Sequence, residues 1–293
     1  MKNLPSKSLP SLKTAAKKLS KDKGIAHSEA LDLVAMQEGF NSWSLLAKQF
    51  SDYVINSFDM LCKEILNGRT TLLAAGPWVG KTTLAINILL KALESGQSVC
   101  YLSSNLSESE IRKKLLAIHT SLPQVEFEHY PHELSANTIR DIAKSIEFFD
   151  SKNVRVESLN KLLASEVAAR IERNNNDNTL YIIDYVQAVQ LDTNAIQTYD
   201  EFVMRLKSAN KGATSVLLIN QIDDEDAYNN GNKVVVKNIV GGDDLVRHCD
   251  FVLGLNRQSS AKNDTELCIL KSFFNAVPAI KAKFNPDVGL FSW

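Results

Sequence analysis

Apolar and polar positions along this chain repeat in two ways, and the change falls near residue 55. Before it, apolar residues recur at helical spacing in three short segments, 11–23, 28–38 and 42–50. Gly24 and Gly39 separate them, as glycine does where a helix must stop, and Ser28 is the expected cap of the second. Residues 1–10, with Pro5 and Pro10, lack the pattern. Three helices of this size bury only a small core, so the pattern predicts a small all-helical module over residues 1–52. From Phe58 onward, short apolar runs alternate with amphipathic stretches. Strands are predicted at 70–75, 98–103, 179–184, 214–220, 250–255 and part of 266–272, with helices between most of them, including 81–95 and 108–120. Ser107 and Glu110 have the spacing of a capping box at the start of the second of these helices. Strands alternating with helices predict an α/β domain over residues 53–293, its mostly parallel central sheet covered on both faces.

Composition narrows the setting. With 44% hydrophobic and 23% charged residues the chain reads as an ordinary globular protein. No apolar run is long enough to span a bilayer, and the first residues lack the apolar core of a secretory signal. Cys62, Cys100, Cys249 and Cys268 have no CxxC spacing and read as buried free thiols of a reducing, cytoplasmic compartment. The net charge of −1 is unevenly spread: residues 1–24 hold seven Lys against one Asp. That basic end reads equally as a nucleic-acid contact or as a solvated terminus. The five histidines show no metal-ligand spacing, and Arg170 and Arg173 read as a solvated helix face.

The chemistry concentrates in Ala75-Gly76-Pro77-Trp78-Val79-Gly80-Lys81-Thr82, followed by Thr83. This is the pattern of a phosphate-binding loop, with Ala at a first position where Gly is commoner. It lies between a predicted strand and a predicted helix, where backbone N–H groups of a tight turn point at phosphate. Lys81 supplies a point charge, Thr82 a hydroxyl for Mg²⁺, and Gly80 a backbone free of Cβ. The expected cofactors are therefore ATP and Mg²⁺. A second signal is Leu180-Tyr181-Ile182-Ile183-Asp184, an apolar strand that delivers a carboxylate to its C-terminal end, where such proteins hold Mg²⁺ through water. Trp78, inside the loop, is open to three readings: stacking on a base, meeting a partner, or covering the loop.

Asp184-Tyr185-Val186-Gln187 is similar to the Asp-Tyr-Leu-Gln signature of the DnaB-type replicative helicases. The phosphate loop resembles that family's Arg-Pro-Ser-Met-Gly-Lys-Thr. Asn220-Gln221 at the end of a strand resembles its Ser-Gln, residues 244–257 its strand ending in Tyr-Arg, and residues 284–291 its closing strand. The resemblance covers roughly residues 55–293 and implies a RecA-like P-loop NTPase core. It implies a ring of identical subunits, single-stranded DNA as substrate, Gln221 as phosphate sensor and Lys271 as the retained catalytic-site lysine of a Lys-x-Arg whose Arg reaches a neighbour's phosphates. No membrane partner is implied. Two departures matter. Asn105 stands where the family carries the Glu that activates water, and an amide cannot accept that proton near neutral pH. Phe273 stands where the family carries an arginine finger, a group contributing about 10³–10⁵ in rate in GTPases. Glu108 and Glu110 are carboxylates near Asn105, although capping is their expected role. A third departure is the acidic run Asp223-Asp224-Glu225-Asp226, where the family's loops face DNA. Two functions therefore stay open: a motor coupling slow hydrolysis to single-stranded DNA, or a hydrolysis-impaired regulator or loader of a helicase or other DNA-processing assembly.

Overall fold

The computed structural model describes residue 5 and residues 9–128, 134–158, 162–173, 178–192, 194–209, 214–222, 233–257 and 263–293. The chain divides into two units. The first is Met1–Asn56 with Ser272–Val277, the second Ser57–Lys271 with Pro278–Trp293.

The first unit holds helices α1 (Leu9–Lys23), α2 (His27–Gln37) and α3 (Trp43–Asp52). Leu12, Ala16, Ala30, Val34, Leu46 and Phe50 form its small core. Strand β1 (Val54–Ile55) pairs in parallel with β11 (Asn275–Ala276). Phe274 stacks on Phe50 at 5.4 Å between centroids and meets Tyr53 edge-on at 5.3 Å. The Asn275 side-chain amide donates to the Phe50 carbonyl at 3.2 Å. Ser42 caps α3 and accepts from the Leu45 N–H. Helix α2 differs from the sequence reading: it starts one residue before Ser28, its cap position is Ala26, and no side chain caps it. Ser28 therefore lies within the helix rather than before it.

The second unit is built on a nine-stranded sheet in the order β13-β12-β10-β9-β2-β8-β6-β3-β4. Its parallel part comprises β2 (Thr70–Ala75), β3 (Ser98–Ser103), β4 (Val154–Ser158), β6 (Thr179–Asp184), β8 (Ser215–Gln221) and β9 (Phe251–Arg257). The antiparallel strands β10 (Asp264–Lys271), β12 (Ala279–Asn285) and β13 (Leu290–Ser292) extend it beyond β9. The two parts follow different burial rules. Every residue of β2 and β6 is buried, because helices cover both faces, whereas β12 alternates buried and exposed positions. Helices α5 (Lys81–Glu94) and α6 (Glu108–Thr120) cover one face, and α7 (Ala136–Asp150) packs on α6. On the other face α8 (Ala164–Arg173), α9 (Tyr199–Ala209) and α10 (Gly242–His248) bury Val167, Ile171, Phe202, Leu206 and Leu245 against Leu72, Leu102, Tyr181 and Leu218.

The predicted strands are present, but the closing segment is two strands, β12 and β13, joined by a tight turn carrying Gly289 at φ 80°. Helix α4 (Phe58–Ile65), capped by Ser57, and the edge strand β4 were not predicted. Cys62, Cys100 and Cys249 are buried free thiols, while Cys268 is half-buried. Arg170 is not merely solvated: it pairs with Glu157 on β4. His129, His132, residues 174–177 and the acidic run 223–226 lie outside the described residues.

Candidate nucleotide site

Strand β2 ends at Ala75 and the chain turns sharply into α5. Gly80 makes that turn at φ 109°, a left-handed conformation that side chains resist. A Cβ at this position would sit 3.3 Å from the Phe291 ring. Glycine is therefore required twice, by its dihedral and by the strand β13 packed against the loop. Gly80 is also the cap position of α5, and no side chain caps the helix. Its first turn points at the loop, which is the geometry that attracts an anion. The Lys81 ammonium donates to the Gly76 carbonyl at 2.7 Å, closing the loop across its mouth. Trp78, at φ 61°, is 97% exposed and covers nothing.

Two strands over, β6 delivers Asp184 to the same end of the sheet. Thr82 donates its hydroxyl to Asp184 Oδ2 at 2.8 Å, joining residues 102 apart in sequence. Tyr101 of β3 donates to the same oxygen at 2.6 Å. Tyr101 is fully buried and Asp184 is 6% exposed. Burial pushes the Asp184 carboxyl above its ordinary value, against the opposing pull of the Tyr101 and Thr82 donors and the Lys81 charge. Burial likewise pushes the Tyr101 hydroxyl well above its usual range. The Asp184 carbonyl accepts from both the N–H (2.9 Å) and the hydroxyl (3.2 Å) of Ser104, so the ends of β3 and β6 are tied together. The Asp184–Tyr185 peptide is cis.

Gln221 closes β8, the strand between β2 and β6, in register with Ala75. Its backbone is gripped by Gln187, which donates to the Gln221 carbonyl at 2.7 Å and accepts from its N–H at 3.4 Å. Gly76, Lys81, Thr82, Asp184 and Gln221 thus meet at the C-terminal ends of three adjacent strands, where open α/β sheets bind ligands. Lys271 does not join them. It pairs with Val252, which pairs with Leu72, three residues short of the end of β2. Its ammonium donates to the carbonyls of Val246 and Arg247, at 2.9 and 2.8 Å, at the C-terminus of α10. Burial lowers its pKa. Within one chain it is a helix cap.

Asn105 follows β3 and is exposed. The carboxylates near it are engaged: Glu108 pairs with Arg112 at 2.8 Å, and Glu110 completes a capping box with Ser107. Phe273, at the other departure, packs edge-on against Phe274 at 4.9 Å. Among the described residues no cluster of three or more His, Cys, Asp or Glu is placed to hold a metal. The donor set that does form, one hydroxyl and one carboxylate, suits Mg²⁺, which keeps most of its shell as water and phosphate. Tyr101, Ser104 and Gln187 were missed by motif reading. A polar hydroxyl in an otherwise apolar strand was the signal for Tyr101, and Gln187 stands inside the motif that contains Asp184.

A family model described as "DnaB-like helicase C terminal domain" matches residues 53–292. The replicative DNA helicase DnaB of Buchnera aphidicola subsp. Acyrthosiphon pisum (strain APS) is 24% identical over 229 residues, covering 73% of this chain and 50% of that protein. The match spans about half the length of that relative. Among solved structures, one described as an ATPase domain superposes with a TM-score of 0.68 at 17% identity, over 76% of this chain and 84% of that one. A DnaB-like replicative helicase, solved to describe its interactions with primase, gives 0.72 at 15% identity, over 95% and 75%. At these identities the likeness to the solved structures is one of fold, the RecA-like ATPase architecture.

Proposed function

The chain belongs to the DnaB-like helicase C-terminal domain family, and from that premise we propose that residues 53–293 form an ATPase core that binds Mg-ATP and hydrolyses it slowly. One observation carries the reading: Thr82, next to the uncapped start of α5, is hydrogen-bonded to Asp184 delivered by a separate strand. The loop 75–83 wraps the phosphates, with backbone N–H groups at the start of α5 directed at them. Lys81 exchanges the Gly76 carbonyl for a phosphate oxygen. Thr82 and Asp184 would hold Mg²⁺, and Gln221 would sense the terminal phosphate from the end of β8. When bound, Mg²⁺ neutralises charge building on the phosphate oxygens. Water activation is the weak step, because Asn105 brings no carboxylate and Glu108 and Glu110 are engaged elsewhere. Lys271 acts across a subunit boundary in a ring of identical chains, with single-stranded DNA as the polymer on which the assembly works. Free thiols suit a reducing, cytoplasmic setting. Residues 1–52 form a separate module.

The second reading is favoured by Phe273. An aromatic ring supplies no charge to a neighbour's nucleotide, and the segment that carries it is tied to α3 through Phe274 and Asn275. A chain built this way holds nucleotide without cycling rapidly and serves as a regulator or loader of a helicase assembly. The deciding experiment is ATP binding and turnover by the purified full chain, with and without single-stranded DNA, beside Lys81→Ala. DNA-stimulated turnover that disappears in Lys81→Ala supports the motor. Lys81-dependent binding with turnover no higher than the variant's supports the regulator. Binding that ignores Lys81 overturns both.

A further inference from the structure

Helix α1 carries five lysines, Lys13, Lys17, Lys18, Lys21 and Lys23, against the single acid Asp22. All five are exposed, and none makes an ion pair with a described residue. Lys13, Lys17 and Lys21 follow one another at i, i+4 and i+8, so they share one face. The packed stripe, Leu12 (1% exposed) and Ala16 (0%), lies roughly 120° round the helix from that row, which leaves the row free to face outward. At 1.5 Å per residue the three lysines are anchored along about 12 Å of helix. Lys21 and Lys23 lie in the last turn, where a cation opposes the helix dipole. Lys13 and Lys17 lie ahead of it and gain nothing from that effect, so helix stability alone does not account for the row. The remaining exposed positions of the helix are Pro10, Ser11, Thr14, Ala15 and Asp22. They lack the Trp, Phe or Leu with which an interfacial helix enters a membrane. A net charge of −1 over the whole chain makes this concentration a local feature rather than a general basicity.

We propose that the Lys13–Lys17–Lys21 face of α1 binds the phosphate backbone of nucleic acid without reading sequence, giving the chain a DNA contact outside its ATPase core. The choice of nucleic acid over another polyanion rests on the reading of that core as a helicase-type ATPase.

The test uses the full chain with EDTA and no nucleotide, a fluorescently labelled oligo-dT strand and a duplex of equal length, and anisotropy over a series of salt concentrations. Replacing all three lysines with Gln weakens binding by tenfold or more and lowers the slope of log affinity against log salt by about 2 on the single strand. Replacing them with Arg restores both. An unchanged slope, absent binding by the wild type, or binding to anionic vesicles but to neither oligonucleotide overturns the proposal. ATP binding by the same protein preparations and by Lys81→Ala is measured in parallel in Mg²⁺. If DNA binding depends on the row while ATP binding ignores Lys81, the core reading fails and this one stands; the opposite pattern rejects only this one.

A separate observation concerns Tyr101. Its hydroxyl and that of Thr82 converge on one oxygen of Asp184, at 2.6 and 2.8 Å. The geometry points to Tyr101 as a positioning residue that turns the second oxygen, Oδ1, toward the hydrated Mg²⁺ of the bound nucleotide. Tyr101→Phe keeps the ring and removes only the bond. Nucleotide affinity then falls about tenfold in Mg²⁺ and stays unchanged in EDTA. In a double-mutant cycle Asp184→Asn removes most of the effect. Equal losses in Mg²⁺ and EDTA, or full additivity with Asp184→Asn, overturn the assignment.

Discussion

Two strand-to-helix turns stand at the same end of this sheet, with β8 and β6 between them, and they are finished in opposite ways. After β2 the chain enters α5 through Gly80, with no side-chain cap. After β3 it enters α6 through Ser107, whose hydroxyl accepts from the Glu110 N–H while the Glu110 carboxylate accepts from the Ser107 N–H. Both helices begin with free N–H groups and a partial positive charge. In α6 the chain satisfies them itself. In α5 it leaves them facing a loop that holds a lysine and a hydroxyl. The contrast separates a helix start built for stability from one built for a ligand. It also explains why Glu110, close to the expected position of a catalytic carboxylate, is a poor substitute: it already accepts from Ser107 at 2.8 and 2.7 Å.

Four substitutions break or sharpen that contrast. Lys81→Ala removes the only ammonium in the loop, and ATP affinity falls by about 10²–10³, as expected for losing a charge-assisted bond to phosphate and its field. Titration calorimetry in Mg²⁺ reads it, and an affinity within twofold of wild type would reject the loop as the site. Asn105→Glu places a carboxylate in the turn after β3 where none is free, and ATP turnover rises by about 10², the low end of general-base assistance. Steady-state assays check it; an unchanged rate locates the missing chemistry at Phe273 instead. Gly80→Ala strains a residue at φ 109° and presses a methyl group 3.3 Å from Phe291. The loss is about 1–2 kcal/mol of stability, seen as a lowered Tm, together with weakened nucleotide binding. Ser107→Ala costs about 1 kcal/mol and leaves ATP affinity untouched.

The last change has a pH signature. The Ser107 bonds hold the Glu110 carboxyl below its ordinary value of 4.5. A depressed carboxylate stabilises the fold above its unfolded value and loses that contribution as pH falls through the folded one. The gap between wild type and Ser107→Ala therefore narrows in acid-unfolding curves as pH falls below 4.5. A gap that persists into stronger acid would mean that the hydroxyl, not the carboxylate, carries the cap.

Lys81 and Lys271 draw the same distinction between a local motif and a distant one. Lys81 was expected at the chain's own nucleotide and Lys271 in a motif that faces a neighbour's. Lys81 is placed at its site by five residues of chain between a strand and a helix, so its neighbours in sequence are its neighbours in space. Lys271 is placed by strand order, and the antiparallel turn after β9 carries it toward the opposite end of the sheet, where α10 presents two carbonyls. Phe274 is a stronger case: it packs on Phe50, more than two hundred residues earlier in the chain. No periodicity reports such a pairing.

What the sequence determined by itself is short in range: the strand–loop–helix at 70–95, the carboxylate closing the apolar run at Asp184, the cap at Ser107, and the alternation that calls for a parallel sheet. Each rests on φ/ψ preference, capping or burial period, which act within a few residues. The tertiary structure alone decided that Tyr101 would reach Asp184 across 83 residues, that Phe291 would stand behind Gly80, and that Lys271 would meet the end of α10. Those outcomes depend on which strands become neighbours, and strand order is set by burying the whole sheet beneath its helices, a requirement no local segment carries.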